Sequence, residues 1–96
     1  MKTKITNMAS DAGNKVPNQF IVEGAHQGQA GSFFQSYDTT IAFKPANGSS
    51  VTLDRARWDY SRTTAKYRNQ FLGETTKETR AKIDSGAFIL GDLNNV

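Results

Sequence analysis

The fold is decided by one stretch in the second half of the chain, Ser61-Arg62-Thr63-Thr64-Ala65-Lys66-Tyr67-Arg68-Asn69-Gln70-Phe71-Leu72-Gly73. Its apolar side repeats at spacings of four, three and four, at Tyr60, Thr64, Tyr67 and Phe71. Ser61 suits the N-cap of a helix, and Gly73 suits the glycine that follows one. The stretch therefore predicts an amphipathic helix whose aromatic side packs on the rest of the protein.

The residues before this helix are typical of β-structure. Short β-branched and aromatic runs, bounded by Gly, Pro and Asn, predict strands at 20–23, 32–37, 40–44 and 50–53. The glycine-rich segment 24–31 predicts a mobile hairpin tip. A three-residue loop at 46–48, with Gly48 in the left-handed conformation, would set Phe43 opposite Val51 and leave Ile41 and Phe43 on one face.

The residues after the helix complete an α+β domain. Thr75 and Glu78 form a capping box that opens a second, shorter helix ending near Gly86, and 87–90 predicts a short strand. We expect a small antiparallel meander sheet of four to five strands, covered by one amphipathic helix plus a second short helix. Residues 1–17 are polar and predict an N-terminal arm, with one short strand around 4–6 at most; residues 18–96 form a single α+β domain.

Composition limits the functions that the chain can have. It has 96 residues, no Cys and one His, which excludes disulfide scaffolds, thiol nucleophiles and multi-histidine metal sites. No serine has a nucleophile-elbow context, and the glycines match no nucleotide-binding loop. No apolar run is long enough to span a membrane. We therefore expect a cytoplasmic binding protein, not an enzyme, with no metal and no cofactor.

The positive charge is concentrated in one segment. Residues 55–68 hold five basic residues and one acid, a larger surplus than the net charge of +3 for the whole chain. On the predicted helix, Arg62 and Lys66 lie one turn apart and opposite the aromatic side. Such a surface suits phosphate oxygens or an acidic protein patch, and an ordinary solvated helix face is an equally good interpretation. The predicted binding surface consists of Arg55, Arg57, Arg62, Lys66, Arg68 and Asn69.

Two narrower sites lie in the same segment. The helix start could hold a phosphate or nucleotide through its amides and side chains, although N-capping by Ser61 alone explains it more simply. The residues of this candidate anion site are Ser61, Arg62, Thr63 and Thr64. Trp58 could stack on a nucleic-acid base, although the lone Trp of a small domain is more often a core anchor.

The adjacent pair Phe33 and Phe34 raises a separate question. Neighbouring residues of a strand point to opposite faces of the sheet, so the two rings cannot share one core. One of them either packs under a helix on the far side or forms an exposed patch, through which two copies of the chain could associate. Core packing is the commoner outcome.

The run from Trp58 to Gly73 resembles a pattern found in small uncharacterised bacteriophage and mobile-element proteins. The segments 18–21 and 34–42 are similar to the same group, so the likeness covers most of the chain from residue 18 onward. The resemblance implies a context and no activity. In that context small non-enzymatic proteins act by binding to host components.

These observations lead to one expected function and two alternatives. We expect a protein that inhibits a host function, such as an anti-CRISPR or other counter-defence factor, by binding a host protein or nucleoprotein complex through the basic helix face. The first alternative is a nucleic-acid-binding module that contacts phosphates through residues 55–68. The second is an oligomeric sponge for a small signalling nucleotide.

Overall fold

The computed structural model describes residues 4–10, 12–59 and 61–94, and it shows one sheet with two helices. The α+β class is confirmed, with six strands where four to five were predicted. In the described part of the chain, no helix is long and apolar enough to cross a membrane. The elements are β1 (Lys4–Ala9), β2 (Lys15–His26), β3 (Gln29–Ser36), β4 (Thr39–Pro45), β5 (Thr52–Asp54), α1 (Arg62–Leu72), α2 (Thr76–Asp84) and β6 (Ile89–Gly91).

The strands lie in the sheet in chain order, from β1 at one edge to β6 at the other. The first five form the predicted antiparallel meander. β6 pairs parallel to β5, because the two helices carry the chain back across the sheet between them. Past the end of β5, the side chain of Asn94 bonds both the N–H and the C=O of Thr40, at 2.8 and 2.9 Å, and so continues the pairing along β4.

The prediction of an N-terminal arm at residues 1–17 is wrong for the residues that the structure describes. β1 and the start of β2 form a hairpin at the sheet edge. Met8 and Val16 are buried in the core, and Asn7 Nδ2 donates to Val16 O at 2.7 Å. The segment is polar because it is an edge hairpin, in which few side chains reach the core. Residues 1–3 and Asp11 of the predicted arm lie outside the described residues.

The glycine-rich segment 24–31 is paired β-structure and not a mobile tip. β2 and β3 continue to a two-residue turn at Gln27 and Gly28, whose φ angles of 51° and 80° are both positive, as a tight hairpin turn requires. Gly31 allows a close approach: a Cβ there would press on the carbonyl oxygen of Lys44 and lie 2.8 Å from the ring of Phe43. Glycine serves packing at this position.

A bulge in β4 overturns the predicted register. Phe34 pairs with Ala42 and Gln35 pairs with Thr40, which leaves Ile41 as an extra residue. Ile41 and Ala42 therefore both join the core, whereas Phe43 turns to the opposite face of the sheet. The connection to β5 spans residues 46–51, and Phe43 lies opposite Thr52 instead of Val51. Gly48 is left-handed as predicted, with a φ of 81°.

The helices cover one side of the sheet. The rings of Phe34 in β3 and Phe71 in α1 stack with centroids 5.8 Å apart, and Tyr67 is buried beside them. The aromatic side of the helix is thus confirmed for the residues described, Tyr60 lying outside them. Ile83 at the end of α2 and Phe88 after it pack against the same core.

Both helices have the predicted N-caps. Ser61 Oγ accepts from the N–H of Thr64 at 3.1 Å, and Gly73 ends α1 with a φ of 73°. At α2, Thr75 Oγ1 accepts from the Glu78 N–H, and the Thr75 N–H donates to Glu78 Oε1 at 3.1 Å. The hydrogen bonds from the Thr75 backbone and side chain hold the pKa of the Glu78 carboxyl below its usual value.

Gly31→Ala is expected to lower the free energy of unfolding by about 1–3 kcal/mol, because the new methyl group meets backbone that cannot move away. Urea denaturation measures the change. Gly24→Ala is the matched control in β2: its Cβ would lie 3.4 Å from the Phe33 ring, an ordinary contact. We expect the control to shift stability by less than about 1 kcal/mol. Equal effects of the two substitutions would contradict the close approach at Gly31.

Candidate functional site

The structure separates the six predicted binding residues into groups with different surroundings. Arg62 and Lys66 are exposed on α1, one turn apart, on the side away from the buried Thr64 and Phe71. The Lys66 ammonium lies 5.4 Å from the centre of the Tyr67 ring, which holds its stem against the helix. We call Arg62 and Lys66 the α1 basic pair.

Arg68 is fully buried, so its place on the predicted binding surface is wrong. Its guanidinium donates to the carbonyl oxygen of Trp58, to Asp59 Oδ1 at 3.2 Å, to Asn69 Oδ1 at 2.9 Å and to Thr76 Oγ1 at 2.7 Å. Position 68 follows Tyr67 directly and flanks the aromatic side of the helix. It therefore faces the loop after β5 and the start of α2 instead of solvent.

Asn69 and Trp58 belong to the interior contacts of Arg68. Asn69 is half-buried, and its Nδ2 donates to Thr76 Oγ1 at 3.2 Å. Trp58 packs against the core, and its ring lies 5.1 Å from the Arg68 guanidinium and 5.5 Å from that of Arg80. Asn69 was predicted to contact a partner and Trp58 was a possible stacking residue; in the structure both make internal contacts. For Trp58 the simpler interpretation, a core anchor, describes the contacts seen.

Asp59 connects the two helices through two arginines. Its Oδ1 pairs with Arg68, and its Oδ2 pairs with Arg80 of α2 at 3.0 Å. Arg80 is exposed and Arg68 is not, so the carboxylate lies at the boundary between interior and solvent. Sequence reasoning missed Arg80, because it is 21 residues from Asp59 and no local pattern links them. These residues form what we call the Arg68 cluster: Trp58, Asp59, Arg68, Asn69, Thr76 and Arg80.

Arg55 and Arg57 are exposed in the loop that follows β5, and their neighbours are not other basic residues alone. Arg55 Nη2 donates to the carbonyl oxygen of Leu90 at 3.2 Å and so ties the loop to β6. Arg57 lines a hollow together with three acidic residues, Asp38, Asp54 and Asp92. These carboxylates offset the positive charge locally. Among the described residues, no group of three or more His, Cys, Asp or Glu is arranged to hold a metal ion.

The candidate anion site at the start of α1 loses one of its four members. The Thr64 hydroxyl is fully buried and lies 3.0 Å from Ser36 Oγ, beneath the helix, so Thr64 is wrongly assigned to the site. The helical wheel had already placed Thr64 on the inward side. Ser61 Oγ caps the helix, and Arg62 and Thr63 are exposed there.

Arg68→Met is expected to lower the free energy of unfolding by about 2–4 kcal/mol, because four acceptors lose their donor while the apolar volume is nearly kept. Arg62→Met, at an exposed position of the same helix, should change it by less than about 0.5 kcal/mol. Chemical denaturation of both variants measures the difference. Similar stabilities would show that the buried hydrogen bonds of Arg68 contribute nothing net.

The comparisons with known proteins give a family and no activity. No curated protein and no solved structure matches the chain. A family model does match, over residues 3–87, a range that includes the β1–β2 hairpin, both helices and the whole Arg68 cluster. The chain belongs to the family of unknown function DUF8033.

Proposed function

We propose that this chain is a non-enzymatic phage or mobile-element protein that inhibits a host function by binding an acidic surface of a host protein through the α1 basic pair. One observation carries the proposal. Arg62 and Lys66 are both exposed, one turn apart, on the side of α1 that faces away from the core. Their two charges can meet carboxylates on a partner without any rearrangement of the fold.

The distribution of the other cations favours a protein partner over nucleic acid. Arg68 is buried, Arg55 bonds to β6, and Arg57 lies beside three carboxylates. Of the five basic residues in 55–68, this leaves Arg62 and Lys66. Both are exposed on α1, a helix that contains no acidic residue. Nucleic-acid affinity at moderate salt depends on many phosphate contacts, each adding about 0.9 to the salt slope. Two contacts give weak binding.

The inhibitory role rests on the resemblance to small phage and mobile-element proteins. A small protein of this kind acts by covering a functional surface of a larger host complex, such as a CRISPR effector or another defence assembly, in the host cytoplasm. The nucleotide-sponge alternative has less support, because the hydroxyl of Thr64 bonds to Ser36 and cannot reach a ligand at the helix start.

Charge reversal of the basic pair, Arg62→Glu with Lys66→Glu, is expected to abolish inhibition, since the partner's carboxylates would then meet like charges. The measurement is the plating efficiency of a phage targeted by a CRISPR defence, in host strains that express each variant. The wild-type chain should raise it and the double variant should not. Lys77→Glu, an exposed reversal on α2, is the control and should act as the wild type does.

Oligonucleotide binding separates the leading proposal from its alternative. Fluorescence anisotropy with short single-stranded and duplex DNA, between about 50 and 200 mM salt, should show a slope no steeper than about two. A steeper slope that the double reversal removes would favour the nucleic-acid module instead. Absence of protection by the wild-type chain in strains carrying defence systems would refute the inhibitor proposal.

A further inference from the structure

The sheet has a second face that no helix covers in the described part of the chain. Direct cross-strand partners point to the same side of a sheet, and one line of such partners crosses all six strands here. The adjacent line of partners, through Phe34 and Leu53, faces the helices. We call the uncovered side the open face, and we call its line of partners the cross-sheet row: Ile5, Val22, Phe33, Phe43, Thr52 and Ile89.

The cross-sheet row is apolar and accessible at both ends. Ile5 is 65% exposed and Ile89 is 51% exposed, although both are large aliphatic residues. At the centre Phe43 is 1% exposed, because its ring lies over Gly31 and is flanked by the rings of Phe33 at 4.6 Å and His26 at 5.3 Å. The aromatic centre is thus packed in place before any partner arrives.

The centre of the open face carries no charged residue on its first four strands. The other paired positions of the open face on these strands are Asn7, Ala9, Lys15, Phe20, Gly24, His26, Gln29, Gly31, Gln35, Thr40 and Pro45. Lys15 is the charged one: it pairs with Ala9 in the edge hairpin, and it follows the open side because its neighbour Val16 is in the core.

The charged residues Glu23 and Lys44 are each next to a residue of the cross-sheet row, so their side chains point to the helix side of the sheet. There Lys44 Nζ donates to Phe71 O at 3.2 Å. At the end of β5, Asp54 is buried and accepts from the Leu93 N–H.

We propose that the open face binds a second copy of this chain, face to face about a two-fold axis. A two-fold contact brings a surface against itself, so a charge at its centre would repel the same charge on the second copy. The uncharged centre of the open face avoids that repulsion, and Lys15, exposed in the edge hairpin, can keep its ammonium group in solvent. Glutamine side chains such as those of Gln29 and Gln35 both donate and accept, so they can pair with their own equivalents. A face that binds a charged partner would instead carry charges of the opposite sign.

The size of the open face fits this occupant. Six strands spaced about 4.8 Å apart give a sheet about 29 Å wide. The strands range from three residues in β5 and β6 to 12 in β2, about 21 Å on average, so the face offers on the order of 600 Å². Stable protein interfaces bury about 600–1,000 Å² per partner, so the open face reaches the lower end of that range. Two such sheets pack about 10 Å apart with interdigitated side chains.

The dimer would present two binding sites. Helix α1 lies on the side of the sheet opposite the open face, so each α1 basic pair would point outward, on opposite sides of the dimer. If the proposed function holds, an inhibitor of this shape could engage two host molecules or two sites on one complex, with the gain in avidity that bivalence gives. This consequence rests on the proposed function, whereas the dimer does not.

Sedimentation equilibrium of the full chain over a range of concentrations tests the dimer. We expect a mass of twice the 10.6 kDa chain. Ile5→Lys with Ile89→Lys should raise the dissociation constant of the dimer at least tenfold, because the new ammonium groups would be buried in the interface between the two copies. Both positions are exposed, so the substitutions leave the core intact. Tyr37→Lys, at an equally exposed residue (54%) in the turn after β3, is the control and should leave the dimer unchanged.

A monomeric mass at every concentration would overturn the proposal, as would a double variant that dimerises like the wild type. Isotope-filtered NMR on a mixture of labelled and unlabelled wild-type chain provides a test without substitutions. It should detect contacts between copies at Val22 and Phe33, and contacts confined to other residues would also overturn the proposal. Arg62→Glu with Lys66→Glu should remain a dimer, so loss of phage protection and loss of dimerisation are separate outcomes.

Discussion

The bulge in β4 decides which side chains face the helices and which do not. If β4 had no bulge at Ile41, strict alternation would place Ile41 and Phe43 on one side of the sheet and Ala42 on the other. With it, Ile41 and Ala42 both enter the core beneath α1, and Phe43 joins Phe33 on the open face. The same local irregularity therefore fills the core and supplies the aromatic centre of the uncovered side.

The second constraint is the burial of one arginine. A guanidinium carries five N–H donors and stays charged, so it can be enclosed only where several acceptors converge. Arg68 finds them in the Trp58 carbonyl, in Asp59, and in the side chains of Asn69 and Thr76. These acceptors come from the loop after β5, from α1 and from α2. Arg68 thus fixes the positions of three segments that otherwise share few contacts, and it leaves the α1 basic pair as the cations that α1 presents to solvent.

Local signals in the sequence were enough to predict the two helices, their caps and the middle of the meander, because caps, helical periodicity and β-branched runs act over a few residues. The errors have a different origin. A bulge changes the side of the sheet to which every later residue of its strand points, and no local pattern in residues 40–44 indicates one. The arm was predicted from polarity, yet an edge hairpin needs only Met8 and Val16 for the core. At the candidate site, the charge count was correct, but the partners of Arg68 and Asp59 depend on α2, which no local pattern relates to them.

The placement of charge links these constraints to binding. Cross-strand pairing sends Glu23 and Lys44 to the helix side, the Arg68 cluster neutralises the carboxylate of Asp59, and Arg57 lies among acids. What remains is a sheet face whose centre carries no charge on the first four strands and a helix face with two cations. Surfaces of these two kinds suit different partners, since a face with an uncharged centre does not repel its own copy and exposed cations attract carboxylates. One short chain can therefore carry a contact for self-association and a contact for a target, separated by the thickness of its core.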